Sequence, residues 1–172
     1  MHRALLFLVP LFAVALLAAL TVLLPGCAMT NHTTVERAAA DVAINAVLDD
    51  FHAAAAVADG ERYFAHFAPD GVFIGTDAAE RWTVAEFRAF AKPIFAQGKG
   101  WTYHVVERHV AIHPDAGSAW FDERLTNESY GETRGSGALR RIDGTWRIEQ
   151  YVLSFPIPNE IAKDVVQQIR SR

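Results

Sequence analysis

The sequence predicts a single α+β domain, with helices first and a meander of strands after them. Three observations carry that prediction. Apolar residues recur at helical spacing from Val35 to Ala58. Beyond residue 100 the runs are rich in β-branched and aromatic residues and are separated by the turn signals "PDAG" and "DG". A chain of 172 residues, 51% of them hydrophobic, holds enough for one core and too little for two comfortable ones.

A segment set apart from that domain opens the chain. Residues 1–26 carry one basic residue, Arg3, then an uncharged apolar run to Leu24, the outline of a signal peptide. A run of about 20 apolar residues also spans a bilayer, so composition fits both a cleaved and a retained segment. Leu24, Gly26 and Cys27, in "LPGC", resemble the lipobox of bacterial lipoproteins. That resemblance implies a lipidated Cys27 as the new N-terminus and attachment to the cell envelope, and Ala28 after it implies the outer membrane, facing the periplasm. Cys27 is the only cysteine, so no disulfide is expected and the fold stands on packing alone. Arg3 leaves with the signal peptide, so 16 Lys and Arg become 15 against 20 Asp and Glu. A net charge of about −5 with no basic tract excludes nucleic acid as a partner.

Residues 27–40 start small and polar, a tether that passes into the first helix. That helix sets Ile44, Leu48, Phe51 and Ala55 on one stripe, and Gly60 marks its end. "ERYFAHF" is a second short helix, closed by the turn "APDG". The opening strand follows, running into the charged corner "TDAAERW". Thr83 and Glu86 form a capping box for a third helix over 84–97, which Pro93 is expected to break or kink near Lys92. Strands are expected over 101–113, 118–126, 136–142 and 145–155. In 156–172, Asn159 is expected to cap a last helix whose Ile161, Val165 and Ile169 form an apolar stripe, placed to close the domain or to meet a partner subunit.

The hairpin around "HPDAGS" admits a closer reading. Pairing His113 with Ser118 places Ile112 opposite Ala119, Val110 opposite Phe121, Arg108 opposite Glu123, Val106 opposite Leu125 and His104 opposite Asn127. The other face pairs His109 with Asp122 and Glu107 with Arg124, complementary charges at cross-strand distance. Arg108 and Glu123 are therefore expected to point inward as a bidentate pair, either fixing the register or anchoring a polar group at a pocket floor. In the last hairpin Trp146, Ile148, Gln150 and Val152 share a phase, which turns Gln150 inward and Glu149 and Tyr151 outward. Gly135 and Gly137 opposite are expected to leave room.

The long helix ending "ADG", the segment "DGVFIGTD" with "ERW", the strand "AWFDE" and the closing "DGTWRIEQYVLS" resemble the SnoaL-like group of the nuclear transport factor 2-like superfamily, over residues 41–155. The resemblance implies a curved, mostly antiparallel sheet wrapped around the N-terminal helices into a cone, with an apolar pocket at the wide end and, in common with many members, a homodimer through the outer sheet face. Trp82 would then be a wall or lid, and Asp77 either a functional carboxylate or the acceptor of turn amides. Glu80 and Arg81 are expected as a solvated surface pair. The ketosteroid isomerase pattern of the superfamily would place its base near Ile74, its tyrosine near Phe51 and its second aspartate near Ala138, and none of these residues can do that chemistry.

Other chemistries find no footing. His109 and His113 lie on a strand, about 13 Å apart, so no metal site is expected, and no cofactor motif is present. His52 and His66 sit on helices among small or aromatic residues and read as packed or surface histidines. Three function classes follow. The first is a binder of a small, mainly apolar molecule, with Tyr63, Trp82, His104, Arg108, Phe121 and Gln150 around it. The second is an isomerase, dehydratase or hydrolase using Asp77 or Glu123 as general base. The third is a dimeric interaction module whose core the four tryptophans fill.

Overall fold

A computed structural model describes residues 34–172; the expected signal segment and Cys27 lie outside the described residues. The order of elements is three helices interleaved with two strands, then four strands, then a helix. Helix α1 (Thr34–Ala56) begins inside the span assigned to the tether. Its stripe behaves as its spacing demands, for Ile44, Leu48, Phe51 and Ala55 are all buried against the sheet. The helix ends before Gly60: Ala58 adopts the left-handed conformation, φ 58°, while the Asp59 amide returns to the Ala54 carbonyl at 2.9 Å, a Schellman-type close. Gly60 instead opens α2 (Gly60–Ala65), where the Asp59 side chain accepts from the Arg62 amide.

Strand β1 (Phe67–Ile74) absorbs the residues "APDG" that were expected to form a turn. They make a broad bulge, since Phe67 pairs with Ile148 and Val72 with Gln150. The charged corner closes a hairpin to a short strand, β2 (Arg81–Thr83), which sets Trp82 opposite Phe73. Thr83 then caps α3 (Val84–Phe95), and the expected capping box with Glu86 is formed in both directions. Pro93 does not break α3 near Lys92; so close to the C-terminus its missing N–H removes a single rung, and the helix runs on to Phe95. Phe87, Ala91 and Phe95, at intervals of four, are its buried face.

The meander is β3 (His104–Ile112), β4 (Ser118–Asn127), β5 (Gly131–Ile142) and β6 (Thr145–Ser154). Six strands form one sheet in the order β2-β1-β6-β5-β4-β3, in which only the β1–β6 pair is parallel. The turn between β5 and β6 is the two-residue "DG", with Asp143 and Gly144 both at positive φ, as the twist of a tight hairpin requires. Helix α4 (Ala162–Arg170) starts after Ile161 with no side-chain cap, so Asn159 does not cap it, and none of its residues is buried. No helix among the described residues is long and apolar enough to cross a membrane.

The predicted β3–β4 register holds from Glu107, opposite Arg124, to Ile112, opposite Ala119. It then slips by one residue: Val105 faces Leu125 and His104 faces Thr126, with Val106 as the extra residue. A second bulge interrupts β5–β6, where Ala138 pairs with Gln150 but Leu139 with Ile148, leaving Glu149 as the extra residue. Each bulge reverses the inward and outward phase of the residues beyond it. These two slips decide which side chains reach the interior.

Candidate ligand-binding cavity

Between α1, α3 and the concave sheet face lies a cavity of about 160 Å³, walled mostly by rings and completed by Gly75, Thr76 and Glu80 of the β1–β2 hairpin. Trp82, Phe87 and Phe73 stack in near-parallel planes, Trp82 to Phe87 at 5.5 Å and 3° and Phe73 to Phe87 at 4.0 Å and 19°. Each such contact stabilises by about 0.5–1.5 kcal/mol beyond burial, so the wall is a preformed surface. All four tyrosines of the chain, Tyr63, Tyr103, Tyr130 and Tyr151, line the same space. Phe90 and Tyr130 are about half exposed and sit toward the open side.

Beneath the rings is a polar floor centred on Glu123, whose side chain is fully buried. Its Oε2 accepts from Arg108 Nε at 2.7 Å; its Oε1 accepts from the Tyr151 hydroxyl at 2.8 Å and contacts His52 Nε2 at 2.7 Å. Arg108 continues outward through Nη1 to Asp49 Oδ1 at 2.7 Å. The expected bidentate pair is thus a single-contact pair, because the second carboxylate oxygen serves His52 and Tyr151. Burial alone would raise the Glu123 pKa, but His52 and Arg108 together outweigh it and hold the carboxyl below its ordinary value. Burial, and then the adjacent Glu123 charge, raise the Tyr151 hydroxyl well above the usual range, so it stays a donor. An ionised carboxylate only accepts, so His52 Nε2 carries the proton in this contact.

The bulge at Glu149 explains why Tyr151 is there. With the phase reversed, Tyr151 and Leu153 point inward, buried, and Gln150 points outward, exposed. Gly135 and Gly137 do not leave empty room; they admit this floor. A Cβ on Gly135 would stand 2.3 Å from the Tyr151 hydroxyl and 2.7 Å from Glu123 Oε1.

Two of the residues expected at a site, Trp82 and Tyr63, line the cavity. Arg108 and Glu123 face inward as the register required, yet lie below the cavity wall and not in it. Phe121 is buried against Tyr151, 5.8 Å between ring centres, outside the lining. The bulge at Val106 turns His104 to the exposed outer face, and the one at Glu149 does the same to Gln150. Asp77 is exposed in the hairpin loop, where its Oδ1 accepts from the Ala79 amide. Glu80 takes the Asp77 amide at 3.1 Å and folds over Gly75 instead of pairing with Arg81. His52, expected as a packed or surface residue, is buried and also lines the cavity, a role not expected of it. Its signal was present: Ile44, Leu48, Phe51, His52 and Ala55 fall at i, i+4, i+7, i+8 and i+11, the full width of a buried helix face.

A curved mixed sheet, helices packed in its hollow and an aromatic cavity at one end define a cone of the nuclear transport factor 2-like class. The chain belongs to the SnoaL-like domain family, whose model matches residues 44–158. Similar solved structures include a protein of unknown function from Mycobacterium tuberculosis, TM-score 0.62 and 16% identity over 76% of this chain and 80% of that one. A Novosphingobium aromaticivorans protein provisionally named a scytalone dehydratase has TM-score 0.61 and 12% identity, covering 73% of this chain and 89% of that one. An NTF2-like protein of unknown function from Pseudomonas putida has TM-score 0.59 and 18% identity, covering 72% and 91%. At these identities the likeness speaks for the fold. No curated protein matches the chain.

Proposed function

We propose that this protein binds a small, mainly aromatic molecule in the ring-walled cavity. The carrying observation is the stack of Trp82, Phe87 and Phe73 beside an open space of about 160 Å³. That volume matches the ~150 Å³ apolar cavity that takes up benzene, and apolar walls with few convergent polar groups are the usual make-up of small-molecule sites. Leu153, which lines the cavity and is 9% exposed, gives the test. Naphthalene titrated against the tryptophan fluorescence of the wild-type protein gives a saturable change; Leu153→Trp fills the space and abolishes it while circular dichroism stays native. A linear, unsaturable response in both proteins contradicts the proposal.

A second reading, an enzyme that moves a proton, draws support from the Glu123 carboxylate set behind His52, an arrangement that orients a ring for acid–base work. In that reading the base is His52, because both Glu123 oxygens are occupied and Asp77 stands outside the cavity. The lipid anchor is part of the same proposal, carried by Leu24, Gly26 and Cys27. An alkyne-tagged palmitate labels the wild-type protein in the membrane fraction of a bacterial host, and Cys27→Ala loses the label; equal labelling of both contradicts the anchor.

A further inference from the structure

His52 reaches the cavity with one ring nitrogen committed and the other uncommitted. Nε2 is held on Glu123 at 2.7 Å, while Nδ1 has no hydrogen-bond partner among the described residues. The side-chain polar atoms sealed in without a partner are Arg108 Nη2, Thr133 Oγ1 and Arg140 Nε; His52 Nδ1 is not one of them, so it keeps a surface, and His52 lines the cavity. The ring cannot swing away from that position. Glu123 fixes one side, and the rings of Phe51, Tyr151 and Tyr103 surround it at 5.3, 6.2 and 6.3 Å. A flat ligand lying among these rings therefore meets a polar atom at His52 that is held in place; Thr76 and Glu80 line the same space from the β1–β2 hairpin. Of the hydroxyls nearby, that of Tyr151 is already given to Glu123. Burial keeps those of Tyr63 and Tyr103 undissociated, the latter raised to about 12.

We propose that the cavity selects hydroxy-aromatic ligands of the phenol class, with the ligand hydroxyl on His52 Nδ1; this rests on the binding reading above. An aryl hydroxyl suits that atom whatever the charge of the ring, since it donates to a neutral imidazole and accepts from a protonated one. An ether or a ketone can only accept, and so makes no bond to a neutral Nδ1. A carboxylate would bring a second buried negative charge to the far side of the ring that already contacts Glu123. An apolar ring of the same size would leave Nδ1 without a partner, at a cost.

Phenol, anisole and toluene, titrated against the tryptophan fluorescence of the purified protein, form the test. Phenol binds about tenfold more tightly than either of the others, the effect of one hydrogen bond to a buried group, and His52→Leu levels the three affinities. Since that variant strips Glu123 of a donor, His52→Gln serves where it fails to fold, with the preference for phenol reduced. Equal affinities in the wild type overturn the phenol class and leave the binding reading standing, as does a phenol preference that survives both substitutions. Absence of binding by all three overturns both.

Discussion

Replacing Glu123 by alanine is expected to cost about 3–5 kcal/mol, the usual penalty for breaking a buried charge pair from one side. Three donors converge on this carboxylate, from His52, Tyr151 and Arg108, and Arg108 itself has a side chain only 5% exposed. Alanine leaves all three without an acceptor and the guanidinium with the mostly exposed Asp49 as its remaining charge partner. Glu123→Gln keeps the shape and one acceptor oxygen, so its cost is smaller. Urea denaturation at neutral pH measures both, and a loss under about 1 kcal/mol for Glu123→Ala would refute a structural role for the network. Acid should separate the proteins in a defined direction. The folded-state pKa of Glu123 is held below its ordinary value, so the unfolded chain binds its proton first as pH falls. The stabilisation is therefore whole above the unfolded carboxyl pKa of about 4.3 and is lost as pH drops through and below it. Wild-type stability falls more steeply over that window than that of Glu123→Gln.

Gly137→Ala should cost about 1–3 kcal/mol or more, as overpacking does where neighbours cannot yield. A Cβ there would lie 2.0 Å from the Gln150 carbonyl oxygen and 3.0 Å from the Phe121 ring. The carbonyl belongs to the partner strand beside the Glu149 bulge, and relief requires β5 and β6 to part. Gly117→Ala is the control, since its new Cβ would meet only the Asp115 side chain at 3.4 Å. Melting temperatures compare the two, and a Gly137→Ala protein as stable as the control would show that the strands do not approach as described.

Much of this architecture was legible beforehand because its signals are local. The α1 stripe, the Thr83–Glu86 capping box and the inward Arg108 opposite Glu123 each follow from spacing within one element or one hairpin, and the structure has all of them. The polar floor was only half legible, for a physical reason. A bulge adds one residue without altering composition or alternation, yet it inverts every side chain beyond it. His104 and Gln150 were thus read as inward and lie outward, and Tyr151, read as outward, carries a hydroxyl to Glu123. Gly135 and Gly137 were the trace of that inversion, since two small residues facing β6 imply something bulky beneath them. His52 is packed, one of the two readings its helix allows, but its partner Glu123 lies 71 residues away on another element, so its place in the cavity had no local signal beyond the face it shares with Leu48 and Ala55. In the charged hairpin corner the Asp77 and Glu80 carboxylates accept from amides of their own turn, and of the two only Glu80 lines the cavity.

The proposed site centres on a histidine held by a buried carboxylate and offering its other nitrogen to an aromatic cavity. Nitrogen-15 NMR of the His52 ring at neutral pH, without and with saturating phenol, addresses it directly. The expected result is a protonated Nε2 with a slowly exchanging proton in both spectra, and an Nδ1 resonance that moves when phenol is added. A bare Nε2 against Glu123, or an Nδ1 resonance indifferent to phenol, would contradict it.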